Sequence, residues 1–119
     1  MSMDKLTQKE TIEKVKKLND HFRQTGEGGR LMMTSGLTKL DGRLVSAIVD
    51  HVRNFESKHG FNKGDDPYGE HDFGSFEVSG VKVFWKIDYY DKDFKYHSED
   101  KSDPALTNRV LTIMKASEW

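Results

Sequence analysis

The first part of the chain has the pattern of an amphipathic helix. Apolar side chains recur at intervals of three and four residues: Ile12, Val15, Leu18 and Phe22. Polar residues, including Arg23, fill the other face. Thr7 and Glu10 have the spacing of a capping box, and Gly26 is a typical residue for the end of a helix. The pattern predicts a helix from Thr7 to Gly26, preceded by a loose tail over residues 1–6.

A short apolar segment and a second helix come next. Residues 30–35 contain the apolar run Leu31, Met32 and Met33 and lie between glycines, which predicts a short strand. Asp41 is a typical N-cap residue and predicts the start of the second helix. Its predicted apolar face consists of Leu44, Val45, Ile48, Val52 and Phe55.

A long loop and a β-hairpin are predicted in the middle of the chain. Residues 56–72 are rich in turn formers and have neither helical nor strand period. From residue 81 to residue 89 apolar side chains alternate with mixed ones, and Ser79-Gly80 can form a two-residue turn after a strand over 74–78. This turn would place Glu77 opposite Lys82. It would also place His71 beside Asp88.

The last third of the chain completes the predicted fold. Residues 93–98 can add a charged edge strand, and Asp103-Pro104 resembles the start of a helix. The buried stripe of that helix would be Leu106, Val110, Leu111 and Met114. We therefore predict one α+β domain over residues 1–119, in which amphipathic helices cover one face of a small, mostly antiparallel sheet with a central hairpin at about 73–90.

Composition excludes several classes of function. The 19 basic and 20 acidic residues balance to a net charge of −1, which does not favour direct binding of nucleic acid. The chain has no cysteine, so disulfides, thiolate metal sites and cysteine nucleophiles are excluded. No uncharged stretch approaches the roughly 20 residues that cross a bilayer, and the N-terminus has no apolar signal core. We expect a soluble, cytoplasmic protein that makes no contact with membranes.

Charge and aromatic residues are concentrated in one segment. Residues 62–103 hold 6 basic and 11 acidic groups, and nine of the thirteen aromatic residues. Exposed aromatic side chains beside carboxylates are typical of a protein-binding surface. Alternatively, the outer aromatic residues pack under the long loop. The predicted partner-binding residues are Asp65, Asp66, Tyr68, Glu70, Asp72, Phe84 and Tyr90.

His71 and Asp88 are the candidate catalytic residues. A carboxylate beside an imidazole can hold one tautomer and raise its basicity, as a general base requires. The sequence contains neither a G-x-S-x-G motif nor another serine nucleophile motif. Alternatively, His71 and Asp88 form a hydrogen-bonded pair with a purely structural role, which fixes the loop to the sheet. The acidic residues around His71 match neither an EF-hand nor an H-E-x-x-H motif, so we predict no metal site and no cofactor.

Three segments resemble one protein family. They are Asp66 to Gly74 (DPYGEHDFG), Val83 to Asp91 (VFWKIDYYD) and Arg109 to Trp119 (RVLTIMKASEW). They are similar to a family of small single-domain bacterial and phage proteins known as domain of unknown function 3768, and the resemblance covers almost the whole chain after Lys9. The resemblance implies a setting of chromosomes, plasmids and phages, and it implies no activity, cofactor or catalytic residue.

The sequence is compatible with two functions. The favoured one is a non-enzymatic protein-binding module, which the family setting narrows to an inhibitor of a host nuclease or defence complex, comparable to an anti-CRISPR protein. Its partner would be a host protein or protein complex. The alternative is a small hydrolytic enzyme that uses His71, oriented by Asp88, with metal assistance as an option. The sequence does not indicate the oligomeric state.

Overall fold

The computed structural model describes residues 7–119. The tail predicted over residues 1–6 lies outside the described residues. The elements in chain order are α1 (Gln8–Thr25), β1 (Gly29–Met33), α2 (Ser35–Thr38), α3 (Gly42–Arg53), α4 (Phe55–Lys58), β2 (Phe73–Val78), β3 (Val81–Tyr90), β4 (Asn108–Lys115) and a final 3-10 turn (Ala116–Glu118).

The two long helices begin where their capping residues predict. The Thr7 hydroxyl accepts from the Glu10 amide at 3.1 Å, and the Glu10 carboxylate accepts from the Thr7 amide at 3.2 Å. At the other end of α1, Gly26 adopts the left-handed conformation with a φ of 83°. The Asp41 carboxylate caps α3 by accepting from the Arg43 amide at 2.9 Å. The predicted starts of both helices are confirmed.

The four strands form a mixed sheet in the order β1-β4-β3-β2. The β2–β3 and β3–β4 pairs are antiparallel, and only β1 and β4 run parallel. Glu77 lies opposite Lys82, and both Ser79 and Gly80 have positive φ, as a two-residue hairpin turn requires. The predicted α+β class, the mostly antiparallel sheet and the hairpin register are confirmed.

The helix predicted after Asp103-Pro104 is wrong. The Asp103 carboxylate accepts from the Ala105 amide at 2.9 Å, so these residues form a turn, and the chain then enters strand β4 between β1 and β3. Buried side chains in β4 alternate, with Arg109, Leu111 and Ile113 on the core face. The prediction was based on residues that often start a helix, followed by an apolar segment. Pairing of this segment with two strands that are distant in the chain outweighs its local helix signal.

Two other predictions for the loops need correction. Residues 93–98 form turns rather than an edge strand, and the only strand-like contact of this segment is one bridge between Tyr90 and His97. The long loop was predicted to begin at residue 56, but residues 56–58 still belong to the short helix α4. Phe55 also belongs to α4 and not to α3.

The core lies between the helices and one face of the sheet. Trp85 and Val83 of β3 and Leu111 and Ile113 of β4 have side chains on this face. They join one buried cluster with helix residues, namely Phe22, Leu37, Ile48, Val52 and Phe55. The helices therefore cover one face of the sheet, as predicted.

Candidate functional site

The opposite face of the sheet carries none of the α-helices of residues 7–119, although Trp119, which follows the final 3-10 turn, packs on one end of it. We refer to this face as the open face. The strand register places alternate residues of all four strands on it. These are Arg30 and Met32 of β1, Phe73, Ser75 and Glu77 of β2, Lys82, Phe84, Lys86, Asp88 and Tyr90 of β3, and Asn108, Val110, Thr112 and Met114 of β4. Met114 is buried.

Aromatic residues gather at one end of the open face. The Trp119 ring lies 5.2 Å from that of Phe73 and 5.5 Å from that of Phe84, in edge-on geometry. The Glu118 carboxylate holds the chain end in place by accepting from the Thr34 hydroxyl at 2.7 Å and from the Gly36 amide at 2.9 Å. Trp119 remains 67% exposed, so a large indole surface borders solvent at this end.

The other end of the open face combines a cation with aromatic rings. The Arg30 guanidinium carbon lies 4.0 Å from the centroid of the Phe94 ring, and the Tyr90 ring stacks on His97 at 6.1 Å. Between the two ends, Lys86 and Asp88 form an ion pair at 3.0 Å. Met32 on the edge strand is 54% exposed. The open face thus presents apolar and aromatic surface around a neutral ion pair.

A buried polar network joins α1 to the core face of the sheet. Asn19 is fully buried, and its amide donates to the Tyr89 hydroxyl at 2.8 Å and to the Glu70 carbonyl oxygen at 3.0 Å. Its carbonyl oxygen accepts from Arg109 Nε at 2.8 Å. The Tyr89 hydroxyl in turn donates to Asp72 at 3.0 Å. Asn19 and Tyr89 therefore connect a buried cation to a carboxylate without direct contact between the two charges.

Burial governs ionisation in this network. It raises the pKa of the Asp72 carboxyl above its ordinary value of 3.8, because desolvation outweighs the hydrogen bond from Tyr89. Burial also raises the pKa of the Tyr89 hydroxyl, and the charge of Asp72 adds to that effect. Tyr89 is therefore a fixed hydrogen-bond donor at neutral pH.

The prediction that His71 lies beside Asp88 is wrong, although the hairpin register on which it was based is correct. His71 has a φ of 58°, so strand alternation ends before it and its ring turns toward the helices. The ring donates from Nδ1 to Asp20 at 2.8 Å and stacks on Phe61 at 3.7 Å. Asp88 stays on the open face with Lys86. The candidate catalytic pair is therefore not assembled.

The predicted acidic docking residues do not form one surface. Asp66 and Glu70 are buried, and the Asp72 carboxylate is held by Tyr89. The Asp66 carboxylate accepts from the His71 amide at 3.2 Å, and Glu70 pairs with Lys101 at 2.7 Å. These acidic residues hold the long loop in its conformation.

The other predicted docking residues lie in different places. Asp65 is partly buried and accepts from the Ser75 hydroxyl at 3.0 Å. Tyr68 is 72% exposed and lies on the loop near the start of α1, where it lines a cavity with Ile12. Only Phe84 and Tyr90 lie on the open face.

The sequence pattern did not predict that Arg23 is buried in the interior. The sequence pattern assigned it to the polar face of α1, yet its side chain is fully buried. Its Nε donates to the Val52 carbonyl oxygen at 3.0 Å, and its guanidinium also pairs with Glu56 and lies 5.5 Å from the Trp85 ring. Arg23 follows Val15 and Asn19 at intervals of four residues, so this spacing was the available signal.

Within residues 7–119 no group of three or more histidine or acidic side chains could hold a metal ion. In the same part of the chain no helix is both long enough and apolar enough to cross a membrane.

Fold and site together define a small α+β protein with helices on one side of a mixed sheet and an open aromatic face on the other. A family model described as "Protein of unknown function (DUF3768)" matches residues 33–118. The chain belongs to this family. No curated protein and no solved structure matches the chain.

Proposed function

We propose that this protein is a non-enzymatic binding module that docks on another protein through the open face of its sheet. The observation that carries the proposal is a sheet face without an α-helix that exposes Met32 and is bordered by the exposed Trp119, with Phe73, Phe84 and Tyr90 half-buried on it. Aromatic and methionine side chains are enriched in protein interfaces, and a large exposed patch of them is typical of a binding surface.

The charges of the open face define the chemistry of the partner. Lys86 and Asp88 neutralise each other, and the exposed Glu77 and Lys82 lie opposite each other near the hairpin turn, whereas Arg30 has no carboxylate within salt-bridge distance among the described residues. Since Arg30 is exposed at the edge strand, a partner carboxylate can reach it. We therefore expect a partner surface that is mainly apolar and carries an acidic side chain opposite Arg30.

Position-specific cross-linking tests the docking surface. A photoreactive residue replaces Met32 or Thr112 on the open face, or Lys17 on the exposed side of α1 as a control. We expect one and the same partner protein to be cross-linked from positions 32 and 112 and not from position 17. Cross-linking of the partner from position 17 alone would contradict the proposal.

Affinity for that partner tests the individual residues. We expect Trp119→Ala to weaken binding by about 2 kcal/mol, because exposed tryptophans are frequent hot spots. Arg30→Ala should also weaken binding. Tyr68→Ala and Arg43→Ala are matched controls, since they remove an exposed aromatic and an exposed arginine outside the open face. Equal losses in the controls would rule out the open face as the docking surface.

The identity of the partner is a narrower proposal. A host nuclease or defence complex in the cytoplasm is favoured by small size and by the family resemblance, which are associations rather than physical arguments. Direct measurement of nuclease activity with and without the purified protein tests it. The alternative hydrolytic function has less support from the geometry, because His71 is bound to Asp20 and stacked on Phe61.

A further inference from the structure

A cavity of about 440 Å³ lies where β1 and β4 begin, between α1 and the loop that precedes β4. Leu18 and Phe22 of α1 and Pro104 of the loop give it apolar walls. Arg109 and Lys92 also line it. The volume is within the range of sites for small organic molecules. Since Phe22 belongs to the buried core, the cavity lies on the helix side of the sheet, and among its lining residues Asn108, at the start of β4, has a register position on the open face.

Arg109 is a buried cation with only neutral hydrogen-bond partners. Its side chain donates from Nε to the Asn19 carbonyl oxygen at 2.8 Å and from Nη2 to the Lys101 carbonyl oxygen at 2.5 Å. The residue is 3% exposed, and no carboxylate of residues 7–119 lies within salt-bridge distance of it. Buried arginines are normally paired with an anion, because desolvation of an uncompensated charge is costly.

The nearest carboxylate along the hydrogen-bond network does not compensate this charge directly. Asp72 is separated from Arg109 by the side chains of Asn19 and Tyr89. Burial lowers the pKa of the Arg109 guanidinium and raises that of the Asp72 carboxyl, so each charged form is disfavoured by its own desolvation. Arg109, a residue of the cavity lining, therefore has no directly paired carboxylate among residues 7–119.

Lys92 adds a second cation to the cavity. Its Nζ donates to the Thr107 carbonyl oxygen at 3.4 Å, and within the described part of the chain it has no carboxylate partner. The only acidic residue in the lining is Glu27, which pairs with His21 at 3.2 Å. The cavity therefore combines apolar walls with an excess of positive charge.

We infer that this cavity binds a small organic anion, with its oxyanion group at Arg109 and Lys92 and its apolar body against Leu18, Phe22 and Pro104. A carboxylate and a phosphate monoester share this chemistry. Either would supply the counter-ion that Arg109 lacks, through charge-assisted hydrogen bonds. This site is independent of the docking function proposed for the open face.

Titrations followed by amide NMR shifts test the inference with four probes. Benzoate and phenyl phosphate carry the oxyanion on an apolar ring, benzamide is a neutral counterpart of benzoate, and inorganic phosphate lacks the ring. We expect benzoate or phenyl phosphate to shift the amide signals of Gly28 and Asn108 saturably, and the stronger of the two identifies the preferred oxyanion. Benzamide and inorganic phosphate should each bind at least about tenfold more weakly.

Variants locate the binding. Lys92→Met should weaken binding of the anionic probe by about tenfold, as expected for loss of one charge-assisted hydrogen bond. Lys95→Met is the matched control, because Lys95 is an exposed lysine outside the cavity lining. Arg109→Met should abolish binding. Since that change also removes the bond to Asn19, Arg109→Lys, which retains the charge, serves as the second variant and should keep part of the affinity.

Several results would overturn the inference. One is equal binding of benzamide and benzoate, which would make the charge irrelevant. Another is equal binding of inorganic phosphate and phenyl phosphate, which would make the apolar walls irrelevant. Affinity unchanged by Lys92→Met would place the anion elsewhere. The absence of a saturable shift with any probe up to about 10 mM would show that the cavity is not a binding site.

Discussion

At the scale of the residue, the buried network shows how one amide side chain satisfies the hydrogen bonds of several buried polar groups. Asn19 satisfies Arg109, Tyr89 and the Glu70 backbone from a single position on α1. An unsatisfied buried donor or acceptor costs about 1–3 kcal/mol, so polar residues in this interior depend on one another. Asp72 stands at the end of the network, accepting from Tyr89, and is not paired with a cation within the described residues.

Asp72→Asn tests the ionisation of that carboxyl. The folded protein raises the pKa of Asp72, so its ionised form carries a stability penalty that is complete well above this pKa and disappears as pH falls through it toward 3.8. An asparagine still accepts from Tyr89 and has no charge. We expect the variant to be more stable than the wild type at neutral pH, with the difference closing as pH falls.

Urea unfolding of both proteins at a series of pH values measures this difference. Comparing the two proteins at each pH removes the contribution of other carboxyls, several of which have lowered pKa values and act in the opposite direction. A difference in the free energy of unfolding that is the same at every pH would contradict the prediction.

At the scale of the element, β2 and the core depend on one close approach. Gly74 lies opposite Trp85 in the hairpin, and the large indole occupies the space over it. A Cβ at position 74 would lie 2.5 Å from Trp85 Nε1 and 2.7 Å from Phe55 Cζ. Both rings are buried in the core, so neither can move away easily.

We therefore expect Gly74→Ala to reduce the free energy of unfolding by about 1–3 kcal/mol through overpacking. Gly42→Ala is the matched control, because no atom lies within 4 Å of a Cβ at that position, where helix α3 starts. It should be neutral or stabilising by up to about 1 kcal/mol. Denaturant unfolding measures both changes, and a Gly74→Ala protein as stable as the wild type would contradict the argument.

At the scale of the whole molecule, the interior requires an element that the family match does not include. The match begins at residue 33, whereas α1 supplies Val15, Asn19, Phe22 and Arg23 to the buried interior. Without α1, the Trp85 ring loses its contact with the Arg23 guanidinium, and Arg109 loses its hydrogen bond to the Asn19 side chain.

We expect a chain that begins at Gly29, which keeps β1 and lacks α1, to show no cooperative unfolding transition. The loss of four buried side chains, two of which are partners of Trp85 and Arg109, exceeds what a domain of this size tolerates. Amide signal dispersion and urea unfolding, compared with the full chain, measure the effect. A cooperative transition in the shortened chain would contradict the prediction.

The sequence by itself determined the features that depend on neighbouring residues. The capping box at Thr7 and Glu10, the Asp41 cap and the Ser79-Gly80 turn all act within a few residues, and each is present as predicted. The turn also determined the hairpin register, because a two-residue turn at Ser79-Gly80 fixes which residues lie opposite each other, and a slip by one residue would turn the apolar face outward.

Only the tertiary structure decided the features whose partners are distant in the chain. Residues 108–115 became a strand because β1 and β3 lie on either side of them, although local residues resembled the start of a helix. His71 turned from Asp88 to Asp20 because its positive φ ended the strand alternation. Arg23 and Arg109 are buried where acceptors more than 25 residues away receive their N–H groups, and such acceptors come together only when the chain folds.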